Sequence, residues 1–295
     1  MRVTLPLLIL AASSAHAAPF MAVDNGGVKA WDSGAVNDYI IHVSCNATEV
    51  HQLRKGLADA ITLAAHARDH VLRWGNASEI YQRYFGNAAS GEVVGNLEKI
   101  VSADKGSVLF RCDNPDGNCD IEGWAGHWRG ANATGETVIC PLSFTTRRYL
   151  EQICAFGFTV SGSKPNELFG SDLIHRLYHT PAIGEGHVEH FADSYEDVLE
   201  LGKHNSTFAV RDSNTLQYFA LDAYAYDIAV PGIGCAGNII KSSPEQQRTT
   251  TSSQTSSLRP STSTAPSSTV TQPPSSTFEV PEGCPTHEGG ELHCA

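Results

Sequence analysis

A compositional break at residue 242 decides where this chain can fold. Residues 242–280, "SSPEQQRTTTSSQTSSLRPSTSTAPSSTVTQPPSSTFEV", are almost all Ser, Thr, Pro and Gln, with too little apolar surface to offset the entropy lost on ordering. They read as a disordered, O-glycosylated stalk. Residues 18–241 have the composition of a globular domain, and residues 281–295 form a separate tail that contains "CPTHEGGELHCA".

The first 17 residues carry the marks of a secretory signal: basic Arg2, a short apolar run, then Ala15-His16-Ala17 as a small-residue cleavage site. The expected localisation is secreted and extracellular, with cell-surface or cell-wall association compatible with it. No stretch approaches the ~18 consecutive apolar residues of a membrane helix, and no anchor is expected. A formal net charge of -12 repels phosphate backbones and argues against nucleic acid as a partner. Four sequons, at Asn46, Asn76, Asn132 and Asn205, suit an exported glycoprotein.

Eight cysteines in an oxidising compartment favour a disulfide framework. Local spacing suggests Cys112 with Cys119 across "DNPDGN", and Cys140 with Cys154. Cys45 and Cys235 would then tie the two ends of the domain together.

Within the domain, Val50, Leu53, Leu57, Ile61 and Ala64 recur at three and four residues, which predicts a long helix over residues 48–74. It carries His66 and His70 largely opposite the apolar stripe, where a solvated face is expected rather than a metal site. Short strands are predicted near residues 107–112 and 136–140, and helices over 146–155, 166–179, 192–202 and 213–228, the last ended by Pro231-Gly232. One helix, a small sheet and a run of helices indicate an α+β domain of mostly helical content.

The chemistry gathers in "HRLYHTPAIGEGHVEHFAD", which begins at His175. His175 and His179 stand four apart on a predicted helix, so their imidazoles share a face and can grip one ion. That is half of a tetrahedral zinc site. Glu185, His187, Glu189, His190 and Asp193 follow as candidates for the third ligand, after a bend supplied by Pro181, Gly184 and Gly186. A metzincin is excluded, because HxxxHxxGxxH is not completed and only Met1 and Met21 exist, neither placed for a Met-turn.

The segment "HRLYHTPAIGEGHVEHFADSYEDVLEL", followed by "NTLQYFALDAYAYDIAVPGIGC", resembles the fungal zincophore family. This is the pH-regulated-antigen and allergen group of HRxxH proteins, related to deuterolysin-type zinc peptidases. The resemblance runs from about Trp31 to Cys235 and returns in "HEGGELHC". It implies a zincin-like domain, Zn²⁺ as the bound metal, delivery to a cell-surface zinc transporter, and in some members contact with host proteins. Laying the deuterolysin GTxxD on Gly186-His187-Val188-Glu189-His190 places His190 at the third ligand position, with Glu189 as the substitute. The spacing in "RCDNPDGNC" and "ICPLSF" also resembles that group and supports the two local disulfides.

Arg176 stands where an HExxH peptidase has the glutamate that takes a proton from metal-bound water. A guanidinium stays protonated and offers no lone pair, so it cannot replace that base. Glu185 or Glu189 would have to substitute, and the preferred reading is that Arg176 pairs with a neighbouring carboxylate. In the tail, Cys284, His287, His293 and Cys294 lie close together with Glu288 and Glu291 between them, a second set of zinc ligands. A Cys284–Cys294 disulfide is compatible with metal on the histidines. The reading is a secreted zincophore that captures extracellular Zn²⁺. An active aspzincin-type peptidase and an adhesin or immune-evasion factor are the alternatives, and an oligomer is compatible with any of them.

Overall fold

A computed structural model describes residues 29–237. The signal segment, the stalk and the Cys/His tail lie outside the described residues. Residues 29–35 form a small unit of their own, a turn closed by Ser33 N–H to Ala30 O and Ala35 N–H to Asp32 O. The domain proper begins at Val36.

Helix α1, Ala47–Trp74, starts at a capping box in which Asn46 Oδ1 accepts from Thr48 and Glu49 while the Glu49 carboxylate accepts from the Asn46 amide. Its stripe of Leu53, Leu57, Ala60, Leu63, Ala64, Ala67 and Val71 is buried. Helices α3 (Ser90–Ser102), α5 (Phe169–Tyr178) and α8 (Ser213–Tyr224) pack around it. With cover on several sides, the solvated face is a narrow one through His51, Arg54, Ala58 and Thr62, and neither His66 nor His70 is among its exposed residues. His70 is buried, its ring against Phe219, and His66 is partly covered by Tyr224. A single-stripe reading fails for a helix enclosed on more than one side.

The sheet has four short strands: β1 (Ile40–Ile41), β2 (Leu109–Arg111), β3 (Gly126–Trp128) and β4 (Glu136–Ile139). Their order is β1-β2-β4-β3. The first two pairings are parallel, and β3 runs antiparallel to β4 at one edge, with His127 opposite Val138. Helix α2 (Glu79–Phe85) and α3 fill a stretch left unassigned by periodicity.

The helix expected over residues 146–155 is absent. Helix α4, Pro141–Thr146, ends where the expected helix would begin, and the chain then extends so that Arg148 bridges Leu168 in parallel register, with a 3-10 turn at Leu150–Gln152 inside the expected span. Arg148 donates to Glu167 O at 2.8 Å and Phe169 donates to Arg148 O at 2.7 Å. This tertiary bridge, which leads directly into α5, outweighs local propensity. Helices α6 (Tyr195–His204) and α7 (Ser206–Ala209) complete the domain, and α8 runs into a π-helical turn, Ala225–Ala229.

All six cysteines of the domain are bridged, but the expected pairing is overturned. The disulfides are Cys45–Cys112, Cys119–Cys140 and Cys154–Cys235. Sheet pairing is the reason. Parallel β1 and β2 carry Cys45 and Cys112 out of the sheet side by side, and Cys140 leaves β4 where its amide donates to Ala125 O, next to β3. Cys235 is drawn to the loop after Cys154 by Val160 N–H to Cys235 O at 2.9 Å. Short sequence separation decided none of the three.

Candidate metal centre

Helix α5 is buried along its whole length. Its apolar residues Phe169, Leu173 and Leu177 enter the core, which fixes the rotation of the helix and turns His175 to the opposite side. His179 caps the helix with αR backbone, so the one-turn spacing survives past the last helical residue.

A tight turn then reverses the chain. Gly184 and Ile183 donate to Thr180 O, and Val188 donates back to Gly184 O. A Cβ on Gly184 would stand 1.7 Å from Tyr178 O, so no other residue fits this turn without moving backbone. Beyond it Glu189 forms a parallel bridge with Asp212 through Glu189 N–H to Arg211 O and Ser213 N–H to Glu189 O, each 2.9 Å. That bridge delivers His190.

His175, His179 and His190 converge. Their ligand nitrogens all lie within 4.8 Å of one another. The Nε2 atoms of His175 and His179 are 3.4 Å apart, and those of His179 and His190 are 3.1 Å apart. Tetrahedral zinc with Zn–N near 2.0–2.1 Å requires N···N edges of about 3.3 Å, so the spacing fits that ion. His175 is buried and the other two are half-buried.

The surroundings hold each ring in place. Ser213 Oγ lies 3.3 Å from His190 Nδ1, and the Trp128 ring stacks on His179 at 6.0 Å between centroids and 15° between planes. The His190 loop is pinned by Asp212, a buried carboxylate that accepts from the Phe191, Ala192 and Thr215 amides and from the Thr215 hydroxyl. Burial raises the Asp212 pKa, and these donors oppose the rise.

Glu189, the substitute third ligand, is exposed and outside the cluster. Successive residues of an extended segment face opposite ways, so delivering His190 inward turns Glu189 out. Glu185 is an exposed residue with φ of 56° whose carboxylate is held by Lys99, and that hydrogen bond lowers its pKa. His187 pairs with Glu92 at 2.8 Å, and Asp193 is exposed. Among the described residues, neither substitute base therefore belongs to the three-histidine cluster. The four sequon asparagines are all exposed. Cys284, His287, His293 and Cys294 lie outside the described residues.

A second trio, Cys119, His127 and Cys140, also comes within ligand distance, but its sulfurs are joined in a disulfide and give no thiolates.

Next to His175 in sequence, Arg176 donates from Nε to Asp172 Oδ2 at 3.0 Å and from Nη2 to Asp172 Oδ1 at 3.1 Å. Both side chains are almost fully buried, at 4% and 1% exposure. Arg147 donates to the same carboxylate at 3.3 Å. Gly126 of β3 lies against the guanidinium, where a Cβ would be 3.0 Å from Nη1 and 2.4 Å from Val138 O. Asp172 could have been read from the sequence as the i, i+4 partner of Arg176. Nothing local points to Trp128 or Ser213, which reach the site from 51 residues before His179 and 23 residues after His190.

A buried helix bearing HxxxH, an antiparallel edge strand beside it and a third histidine returned by a tight turn form a cluster whose ligand atoms are spaced so that they could hold one metal ion. Arg176, between the first two histidines of the cluster, is ion-paired to Asp172. Residues 3–238 match the HRXXH family, described as a "putative peptidase family". The major allergen Asp f 2 of Aspergillus fumigatus is 52% identical over 297 residues, covering 99% of this chain and 93% of that protein. The pH-regulated antigen PRA1 of Candida albicans is 54% identical over 209 residues, 70% of each chain. Protein ZPS1 of Saccharomyces cerevisiae is 35% identical, covering 68% of this chain and 80% of that one. The chain belongs to the HRXXH family.

Proposed function

We propose that this protein is a zincophore: exported, it captures Zn²⁺ on His175, His179 and His190 and delivers the ion to a cell-surface transporter. The observation that carries this reading is the pairing of a complete three-histidine set with an arginine locked to Asp172 where proton transfer would need a free carboxylate. Three neutral imidazoles leave one tetrahedral position for an exchangeable ligand, which suits an ion that must later be surrendered. The tail residues Cys284, His287, His293 and Cys294 provide a second set of donors for the same cargo. Three disulfides and exposed sequons suit an extracellular glycoprotein.

The competing reading is an active peptidase, favoured by the edge strand β3 beside the cluster. Zinc titration of the purified protein, run beside a chelator-controlled assay on denatured protein substrates, separates the two. Stoichiometric zinc with no chelator-sensitive cleavage supports capture. Robust cleavage abolished by His175→Ala overturns it, and absence of zinc binding removes both readings.

A further inference from the structure

Buried His70 engages both of its ring nitrogens. Nδ1 lies 2.6 Å from Asp227 Oδ2, and Nε2 lies 2.7 Å from Ser78 Oγ. An ionised carboxylate only accepts, so in the neutral imidazole the proton sits on Nδ1, and Nε2 accepts from the Ser78 hydroxyl. The Tyr81 amide donates to the same Oγ at 3.2 Å, as expected for the residue that caps α2, which leaves the Ser78 proton directed at His70. The three residues come from α1, the start of α2 and the π-helical turn after α8. The fold has therefore assembled hydroxyl, imidazole and carboxylate in hydrogen-bonded series.

We propose that Ser78, His70 and Asp227 form a nucleophilic relay, a second and metal-independent site that acts on carboxylic esters with a compact apolar acyl group. The relay opens on a cavity of about 450 Å³ whose wall includes Trp74, Ile80 and Arg83 beside the three relay residues. This volume is of the size that encloses a small ligand. Trp74 and Ile80 supply apolar cover for an acyl chain. Arg83, ion-paired with Asp222, is the cation on the same wall, which Glu79 and Asp222 also line, and in the proposed reaction it is the group available to charge developing on a carbonyl oxygen. Asp227 is a positioning residue, held also by His66 Nε2 at 3.0 Å. None of these residues belongs to the three-histidine cluster.

The steps balance without a cofactor. Ser78 Oγ bonds to the acyl carbon as its proton passes to His70 Nε2, and Asp227 stabilises the imidazolium. The ester C–O bond breaks, and the leaving alkoxide takes that proton as the alcohol. Solvent water then adds to the acyl-serine with His70 as base, which releases the carboxylic acid and restores Ser78.

A serine that merely caps α2 would show the same distances, so the test reads reactivity. The intact protein is treated with a fluorophosphonate in the presence of a zinc chelator, and adducts are located by peptide mass spectrometry. One adduct, on Ser78, is expected. Its rate of formation should rise with pH through a single ionisation and fall at least about 100-fold in His70→Gln and in Asp227→Asn. Thermal melting identifies any variant that has unfolded, and in that event the remaining variant and the pH profile carry the comparison. No Ser78 adduct in the native protein, or labelling unaltered in a folded variant, overturns the proposal.

Discussion

Asp172 and Arg176 stand one turn apart on α5, and the carboxylate grips the guanidinium through two hydrogen bonds of 3.0 and 3.1 Å. In Asp172→Ala the guanidinium loses this partner in the interior, at a cost of about 3–5 kcal/mol. Melting temperature should fall by roughly 10 °C, read by circular dichroism. Arg176→Glu sets a second carboxylate beside Asp172, so loss of stability is expected without any gain of chelator-sensitive proteolysis. A stable, proteolytic Arg176→Glu protein would show that the pocket still accepts a base.

His190 and Glu189 are adjacent in sequence and opposite in role. Zinc affinity, measured by competition with a chromophoric chelator, should be unchanged in Glu189→Ala and reduced by about tenfold in Ser213→Ala, which removes the group beside His190 Nδ1. A large loss in Glu189→Ala would reassign the third ligand.

Gly184 tests the turn that brings His190 home. Because a Cβ there meets Tyr178 O at 1.7 Å, Gly184→Ala must displace the return segment. Zinc binding at least about tenfold weaker, with the three disulfides still formed by peptide mapping, is the expected result. Wild-type affinity would mean that the loop reaches the cluster by another route.

Acid should weaken the sheet end of the domain first. Hydrogen bonds from Arg129 hold the Asp116 carboxyl at about 2, and those from Arg111 hold Asp113 at about 2. Both values lie below that of an unfolded aspartate, near 3.9, so the folded state binds fewer protons between them. The contribution is complete above pH ~4 and is lost as pH falls from ~4 towards ~2. Urea midpoints should decline across that window, and Asp116→Asn should flatten the decline. An identical slope in the variant would place the acid sensitivity elsewhere.

What the sequence revealed followed from how locally each feature is encoded. Helix α1 and the His175/His179 pair rest on three- and four-residue periodicity and were readable, and His190 came with the family resemblance. The disulfides were not, because the partners of Cys112, Cys119 and Cys154 are set by which strands and loops lie side by side. His70 misled for a related cause. Its surroundings are α2, α8 and the π-helical turn, none of which leaves a mark on the periodicity of α1. Arg148, inside an apparent helix, was claimed by a bridge to Leu168.

The Cys154–Cys235 bond also determines how load passes through the molecule. Cys235 lies beyond α8 and two residues before the last described position, and its neighbour Ala236 accepts from the Ser161 amide at 3.0 Å. Tension applied to the chain past that point is carried across a covalent staple into the loop around Cys154, bypassing the hydrogen bonds of α8. The N-terminus of α8, where Asp212 and Ser213 steady His190, is thereby mechanically isolated from whatever the following segment is tethered to.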